Sequence, residues 1–488
     1  MLTRDTLEQK KKNIQWDTLS RTFRDAVVLT RGIGVQYIWI DSLCIIQDDP
    51  DDWKNEAANM ASIYEGALMV LSATASTNGE TGCFHDREPP VVLQVALDSG
   101  SPFTIFARRV LPHLAFRSGF IEYQWKSGMK DSLLSDGVPL FSRAWCFQER
   151  LLGTRTLHFL RQEMVFDCLE STNCECGALF DYSEESTRTM RKSIKHGIST
   201  ERISRFRRGK LSPDQWIAPS CAQLSDDIFN ETWRRLVEGY SRKNITYLSD
   251  VLPALSGLAY RWSSITGTDY LCGLWTDGLL PGLMWYAGSK TSSTGIDVNA
   301  AVDKRPAKHK DTYVAPSWSW ASTWRPVAWP LRDFVELSYM VDIDRRNSGC
   351  TYSGPDVFGG ISSGWLVISG KLTSVRVTTF DPFQLESEFD KKDTIKFYYS
   401  PDDERACEES LGKQVFCLDY ATNNLLRDSH FALILAPADP GQHDGAIGLV
   451  PDKVKQLGQL YRRVGITDRF PWLDLKPVRG PKTTMVII

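Results

Sequence analysis

The chain has 488 residues, 42% hydrophobic and 24% charged, with 57 basic residues against 60 acidic ones and a net charge of −3. That length accommodates two or three domains with substantial cores, and that charge balance gives no electrostatic reason to expect nucleic acid or an anionic membrane as a partner. The opening stretch MLTRDTLEQKKKN has no apolar core and so is not a secretory signal, and no apolar run of about 18 residues occurs that would span a membrane.

The 11 cysteines are odd in number and follow no framework, which reads as reduced thiols in a cytoplasmic protein. Residues 18–31 place Leu19, Phe23, Ala26, Val27 and Thr30 on one helical face, with Asp17 or Thr18 to cap the start and Gly32 and Gly34 to end it. The apolar run Val35 to Ile40 then predicts a strand that stops at Asp41. An acidic turn follows, Asp48-Asp49-Pro50-Asp51-Asp52. It lacks the glycine and distal glutamate of a calcium hand, so it reads as a solvated turn and helix cap. Trp53, Ala57, Met60, Ala61, Tyr64 and Ala67 recur at threes and fours and predict a helix, and Leu68 to Leu71 predict a second strand. Strand, helix, strand implies a parallel pair with a right-handed crossover. Ligands bind outside the carboxyl ends of such strands, which here means Asp41, Ser42, Asp48 and the start of the helix.

Farther along, 91–110 alternate as a hairpin. SRAWCFQERLL predicts a helix with Trp145, Phe147, Leu151 and Leu152 as its apolar contacts, and strand signals follow at Thr156–Phe159 and 164–169. The basic, polar stretch 181–215 reads as a solvated linker or insertion, with a nuclear-import or phosphate-binding patch as the alternative. Helical patterns at TWRRLVEGYSR and LPALSGLAYRW alternate with tryptophan-rich turns, and APSWSWAS looks extended. From about 335 short β runs separated by Gly, Asp and Pro clusters suggest a sandwich- or barrel-like module. The expected organisation is an α/β domain over 1–160, a basic linker over 161–215, a helical, Trp-rich region over 216–334 and a β-rich module over 335–488.

Asp41 and Ser42 suit hydrogen bonding to a ribose or phosphate; the alternative is that Asp41 caps its turn or pairs with Arg143 or Arg150. Arg143, Gln148, Glu149 and Arg150 form a second polar cluster. Its arginines suit phosphate because the guanidinium fork donates twice, and an Arg–Glu structural pair is the alternative. Cys168, Cys174 and Cys176 with His158 miss the paired C-x2-C knuckle, so no metal site is assigned. Gly360-Ile361-Ser362-Ser363-Gly364 matches the nucleophile-elbow pattern but precedes a β run rather than a helix, so it reads as a hairpin turn. Neither a Walker loop nor a dinucleotide fingerprint occurs.

The stretch YIWIDSLCIIQDD, followed by DW-x-x-EA-x-x-M-x-x-IY-x-x-A, resembles the signature of the heterokaryon incompatibility (HET) domain of filamentous fungi. SRAWCFQERLLGTRTLHF (142–159), LSDVLPALSGLA (248–259), YLCGLW (270–275) and APSWSWAS (315–322) look like later blocks of the same proteins, in the same order. In that family a segment like YVALSYCWG precedes the first helix, and nothing similar stands before it here. The resemblance therefore implies a sheet short of its first strand, with an unpaired edge at the second. HET domains have been suggested to be distant relatives of TIR domains. That implies a TIR-like, flavodoxin-like parallel sheet, followed by a mixed α+β middle region and a β-rich C-terminal module. Enzymatic TIR domains cleave the nicotinamide–ribose bond of NAD with a glutamate in a W-x-x-E context, and Trp53-Lys54-Asn55-Glu56 has that spacing. The resemblance thus implies Glu56 as catalytic carboxylate, with Asp41, Ser42, Trp53, Arg143 and Arg150 as substrate-binding residues. NAD is then substrate rather than cofactor. The bland alternative is that Glu56 only complements the dipole of the helix's first turn. A carboxylate beside the ribose would stabilise the ribosyl cation left when nicotinamide departs. The resemblance also implies a role in non-self recognition and programmed cell death, through homo-oligomers of the HET domain or a protein partner. A non-enzymatic signalling module and a truncated, inactive paralogue are the alternatives.

Overall fold

The computed structural model describes residues 1–96, 102–108, 113, 116, 137–179, 224–287, 313–323, 325–329, 337–380, 383–387, 395–398, 400–401, 413–423, 430–438, 449–467 and 482–488. The chain divides into two compact units, Met1–Ser199 and Thr200–Ile488.

In the N-terminal unit, helix α1 (Arg21–Gly32) is capped by Ser20, whose hydroxyl accepts from Phe23 N, rather than by Asp17 or Thr18. Gly34, at φ 76°, turns the chain out of the helix. The predicted strand at 35–40 does not form. Ile40 is extended, at φ −133° and ψ 119°, and Tyr37 is 85% exposed, but among the described residues no strand pairs with this segment. An apolar, extended run becomes a strand only where a neighbour offers its backbone. Asp41 and Ser42 accordingly do not end a strand; they begin a single helical turn, Asp41–Cys44.

The acidic turn behaves as a cap. The Asp49 carboxylate accepts from Asp51 N and Asp52 N at the head of helix α2 (Pro50–Gly66), and Pro50, which has no N–H to leave unpaired, occupies its first turn. Ala57 and Met60 are the buried residues of α2. Strand β1 (Val70–Ser72) follows, then β2 (Val91–Ala96) and β3 (Pro102–Ala107), which pair antiparallel as the expected hairpin. Helix α3 (Ala144–Leu152) leads into β4 (Arg155–Phe159), β5 (Met164–Cys168) and β6 (Thr172–Cys174). The sheet order is β1-β4-β5-β6. Its parallel pair joins β1 to β4, with Val70 opposite Thr156, while β4–β5 and β5–β6 are antiparallel. The expected parallel pair across α2 is therefore replaced by one across α3. The described sheet is mixed, and it continues through Cys174, past the boundary at 160.

The C-terminal unit opens with helices α4 (Leu224–Tyr240) and α5 (Pro253–Thr266), matching both helical expectations. Tryptophans tie its loops together. Trp233 Nε1 and Trp320 Nε1 both donate to Gly273 O, at 3.1 and 2.8 Å, and Trp285 Nε1 donates to Trp318 O at 2.9 Å. Gly273 sits at φ 95°, and a Cβ there would lie 2.6 Å from Trp320 Nε1, so only glycine fits. The stretch expected to be extended, APSWSWAS, is instead a turn ending in a 3-10 segment at Trp320–Ser322; Ser319 donates its hydroxyl to Cys272 O at 2.5 Å. Two blocks distant in sequence thus meet in space.

A sheet of twelve strands among the described residues follows. Its middle consists of β7 (Ile361–Gly370), β8 (Leu372–Phe380), β9 (Gln414–Asn423), β10 (His430–Pro437), β11 (Gln459–Thr467) and β12 (Thr483–Ile487), in the spatial order β7-β12-β11-β10-β9-β8. Ile361–Gly364 of the G-x-S-x-G pattern lie inside β7 itself, so the pattern is strand, neither an elbow nor the hairpin turn expected. The basic stretch 181–215 lies outside the described residues.

Candidate functional site

The N-terminal unit encloses a cavity of about 860 Å³, walled by residues of α1, the 35–41 segment, α2, β1 and α3. Such a volume falls in the range of small-molecule sites. Its walls carry two aromatic pairs: Trp39 packs edge-on against Tyr64 at 5.8 Å, and Trp53 against Trp145 at 6.1 Å. Both tryptophan–aromatic pairs join different elements, so each fixes wall geometry as well as burying area.

The polar centre of the cavity is Glu149. The Tyr64 hydroxyl and the Cys146 thiol hydrogen-bond its carboxyl group, and Asp41 and Arg143 bring opposite charges to bear on it. Burial and the Asp41 carboxylate push the Glu149 pKa up to about 7, against the lowering pull of Tyr64, Arg143 and Cys146. Desolvation and the Glu149 charge in turn raise the Tyr64 hydroxyl and the Cys146 thiol well above their ordinary values. Glu149 and Tyr64 each keep some surface, because that surface faces the cavity. A carboxyl group titrating near neutrality, beside a second carboxylate and an arginine, can hold or release a proton at physiological pH.

Of the residues singled out in the sequence, Asp41, Trp53, Arg143 and Arg150 line this cavity. Arg150 stacks its guanidinium 4.2 Å over the Phe141 ring and 5.1 Å over that of Phe116, which holds it flat against the wall. Asp41 Oδ1 accepts from Ser42 N at 2.6 Å, the self-capping contact of its helical turn. Ser42 and Glu56 are not among the lining residues. Glu56 lies in the second turn of α2, whose first turn carries Asp51 and Asp52, so those two residues, rather than Glu56, complement the helix dipole. Glu149 appeared in the sequence only as one member of a polar cluster. Its spacing from Cys146 and Arg150 along α3 was visible, but its approach to Tyr64 and Asp41 depends on the tertiary fold.

The four side chains weighed for zinc separate. His158 is buried with Nδ1 3.0 Å from Thr74 Oγ1, and packs edge-on against Phe116 and Phe141. Cys168 Sγ accepts from Ser171 N at 3.4 Å. Cys174 and Cys176 remain together, beside two residues that the sequence reading had not joined to them, His113 and Glu163.

Among the described residues, no helix is long and apolar enough to cross a membrane. Neither the curated proteins nor the solved structures contain a significant match to this chain. Residues 2–149 match the family described as Heterokaryon incompatibility protein (HET), a span that takes in α1, the 35–41 segment, α2, β1 and α3 up to Glu149; the later blocks at 248–259, 270–275 and 315–322 lie beyond it. Both carboxyl groups and most of the cavity lining therefore fall within the matched residues, and residues 2–149 of this chain are a heterokaryon incompatibility (HET) domain.

Proposed function

We propose that this protein acts inside the cell as an effector of fungal non-self recognition and programmed cell death, and that its HET domain does so by hydrolysing the nicotinamide–ribose bond of NAD. The observation that carries the reading is the cavity that gathers Glu149, Asp41, Arg143 and Tyr64 in one space. The TIR-like resemblance supplies the reaction, and the cavity supplies the place. Departure of nicotinamide leaves a cation on the ribose; a carboxylate aimed at that carbon stabilises it, and a neighbouring carboxyl group near its pKa activates the attacking water. In this reading Asp41 and Glu149 share those two roles, Trp53 and Trp145 flank the planar bases, and Arg143 meets the pyrophosphate. Glu56, outside the cavity lining, takes no part.

A non-enzymatic signalling module is the second reading, and one observation favours it. The outer edge of β1 and the extended 35–40 segment both border the cavity, and neither pairs with a strand among the described residues, so strand addition by a partner is open to both.

Nicotinamide release from NAD by the purified full chain separates these readings. The expected result is release by wild type, loss in Glu149→Gln and Asp41→Asn, and retention in Glu56→Ala. Loss in Glu56→Ala with retention in Glu149→Gln would return catalysis to the W-x-x-E glutamate. No release by any form, with growth arrest on expression abolished by Ile38→Pro, would establish the signalling module instead.

A further inference from the structure

We propose that the N-terminal unit carries a structural zinc site built from His113, Glu163, Cys174 and Cys176. The four donor atoms lie within 4.8 Å of one another. Cys174 Sγ and Cys176 Sγ are 3.4 Å apart, Cys176 Sγ is 3.6 Å from His113 Nε2, and it is 3.8 Å from Glu163 Oε1. His113 Nε2 also hydrogen-bonds Glu163 Oε1. Zinc–ligand bonds of about 2.3 Å to sulfur and about 2.0–2.1 Å to nitrogen or oxygen give a tetrahedron with edges of about 3.8 Å between sulfurs and about 3.6 Å from sulfur to nitrogen or oxygen. The three sulfur distances fall within a few tenths of an ångström of those edges. The sulfurs are also well beyond the reach of a disulfide bond, about 2.05 Å, and both thiols are free.

Local structure explains how a sequence without a paired knuckle assembles the set. Cys174 ends β6, and the chain turns at once, with Gly177 N donating to Cys174 O at 3.1 Å, which sets Cys176 beside Cys174. In that tight turn Leu179 N donates to Cys174 Sγ at 3.4 Å and Ala178 N donates to Cys176 Sγ, so a backbone N–H fixes the position of each sulfur. Glu163 precedes β5 across the sheet from β6, and its other oxygen accepts from Cys176 N at 3.0 Å. A second-neighbour contact, Glu175 Oε2 with Met164 N at 2.9 Å, pins the same two stretches together. His113 reaches the site from a segment 50 residues upstream of Glu163.

The chemistry of the donors selects the metal. Two thiolates, one imidazole and one carboxylate suit zinc and exclude calcium or magnesium, which take oxygen ligands. Four protein ligands fill a tetrahedron, so the site is closed and structural rather than catalytic. Two thiolates and a carboxylate set three negative charges against the metal's two positive ones, and Arg108, with Nη2 3.7 Å from Glu163 Oε2, offsets the remainder. Glu163 is 0% exposed and His113 6%, a placement that is costly for a carboxylate unless a cation shares its site. Binding would release the two thiol protons and fasten His113 to the β4–β5–β6 sheet.

The test is the metal content and cobalt spectrum of the full chain, expressed in zinc-supplemented medium and purified without chelator. The expected content is about one zinc per chain, lost in Cys174→Ser/Cys176→Ser and kept in Cys168→Ser, whose thiol belongs to the same sheet but not to the cluster. Cobalt exchanged into wild type is expected to show the intense visible bands of a tetrahedral ion and a near-ultraviolet thiolate charge-transfer band. A chelator is expected to lower the melting temperature of wild type. Should the double variant not fold, the cobalt spectrum of wild type decides by itself. Wild type that takes up no zinc from excess and gives no tetrahedral cobalt spectrum would overturn the site, as would a double variant that keeps the thiolate band.

Discussion

The N-terminal unit encloses a cavity whose walls carry titratable groups, whereas the C-terminal unit fills its interior with tryptophan. In the first, Glu149, Tyr64, Cys146 and Asp41 converge on one space. In the second, Trp233, Trp285 and Trp318 are almost fully buried, and the indole N–H groups of Trp233 and Trp285 each have a backbone carbonyl to donate to. One buried polar group of the second unit is Arg463, 2% exposed on β11. Its guanidinium donates to Leu283 O and Trp285 O and lies 3.8 Å over the Trp285 ring. A buried polar group with its partners in place holds a structure together, while one facing a cavity under competing fields is available for chemistry. The contrast teaches which unit to search for a reaction and which to treat as scaffold.

The largest expected effect comes from breaking the scaffold. Arg463→Ala leaves two buried carbonyls without their donor and uncovers the Trp285 ring. The expected cost is about 3 kcal/mol, read as a shift of the tryptophan-fluorescence transition in urea to lower concentration. A transition that does not move would show that Arg463 is no brace.

A smaller effect, opposite in sign, is expected in the cavity. Glu149 has a folded pKa of about 7 against an ordinary value of 4.5, so the fold favours the neutral carboxyl group. Below the ordinary value both states hold the proton and nothing is lost. Between about pH 4.5 and 7 the unfolded chain releases its proton first, so stability falls as pH rises and then levels off. Glu149→Gln mimics the neutral form and is expected to remove that slope, gaining about 2 kcal/mol over wild type at pH 8. Denaturation curves at pH 5 and pH 8 check this; a variant with the wild-type slope would show that another group causes it.

These two residues also mark how much the sequence disclosed. The pattern of α2 was legible because its apolar residues recur at threes and fours, and its cap because Asp49 precedes Pro50. The β-rich region was legible from alternation and turn residues, since both depend on near neighbours. The pairing of β1 with β4 was not, because parallel pairing joins strands far apart in sequence and the 35–40 run, apolar enough for a strand, has no partner among the described residues. The cavity was half legible. Asp41, Arg143 and Arg150 were picked out from residue type and position and Trp53 through the family resemblance, and all four line it. Glu149 gained its significance only when α3 packed against α2 and brought it to Tyr64. The His113–Glu163–Cys174–Cys176 cluster was illegible, because two of its members lie outside the cysteine-rich stretch and no spacing rule joins them.

The smallest effect is expected at Glu56, where the sequence placed catalysis. Glu56 is half-buried in the second turn of α2, outside the cavity lining, and among the described residues it makes no hydrogen bond or ion pair. A residue placed so contributes little: Glu56→Gln is expected to change stability by less than about 0.5 kcal/mol and to leave nicotinamide release at the wild-type rate. The two readouts carry different weight. A stability loss alone would mean that Glu56 packs or caps in a way its position does not show. A loss of release at unchanged stability would mean that the domain works through the helix face bearing Glu56, and that the cavity around Glu149, for all its converging charge, is a packing defect with no ligand.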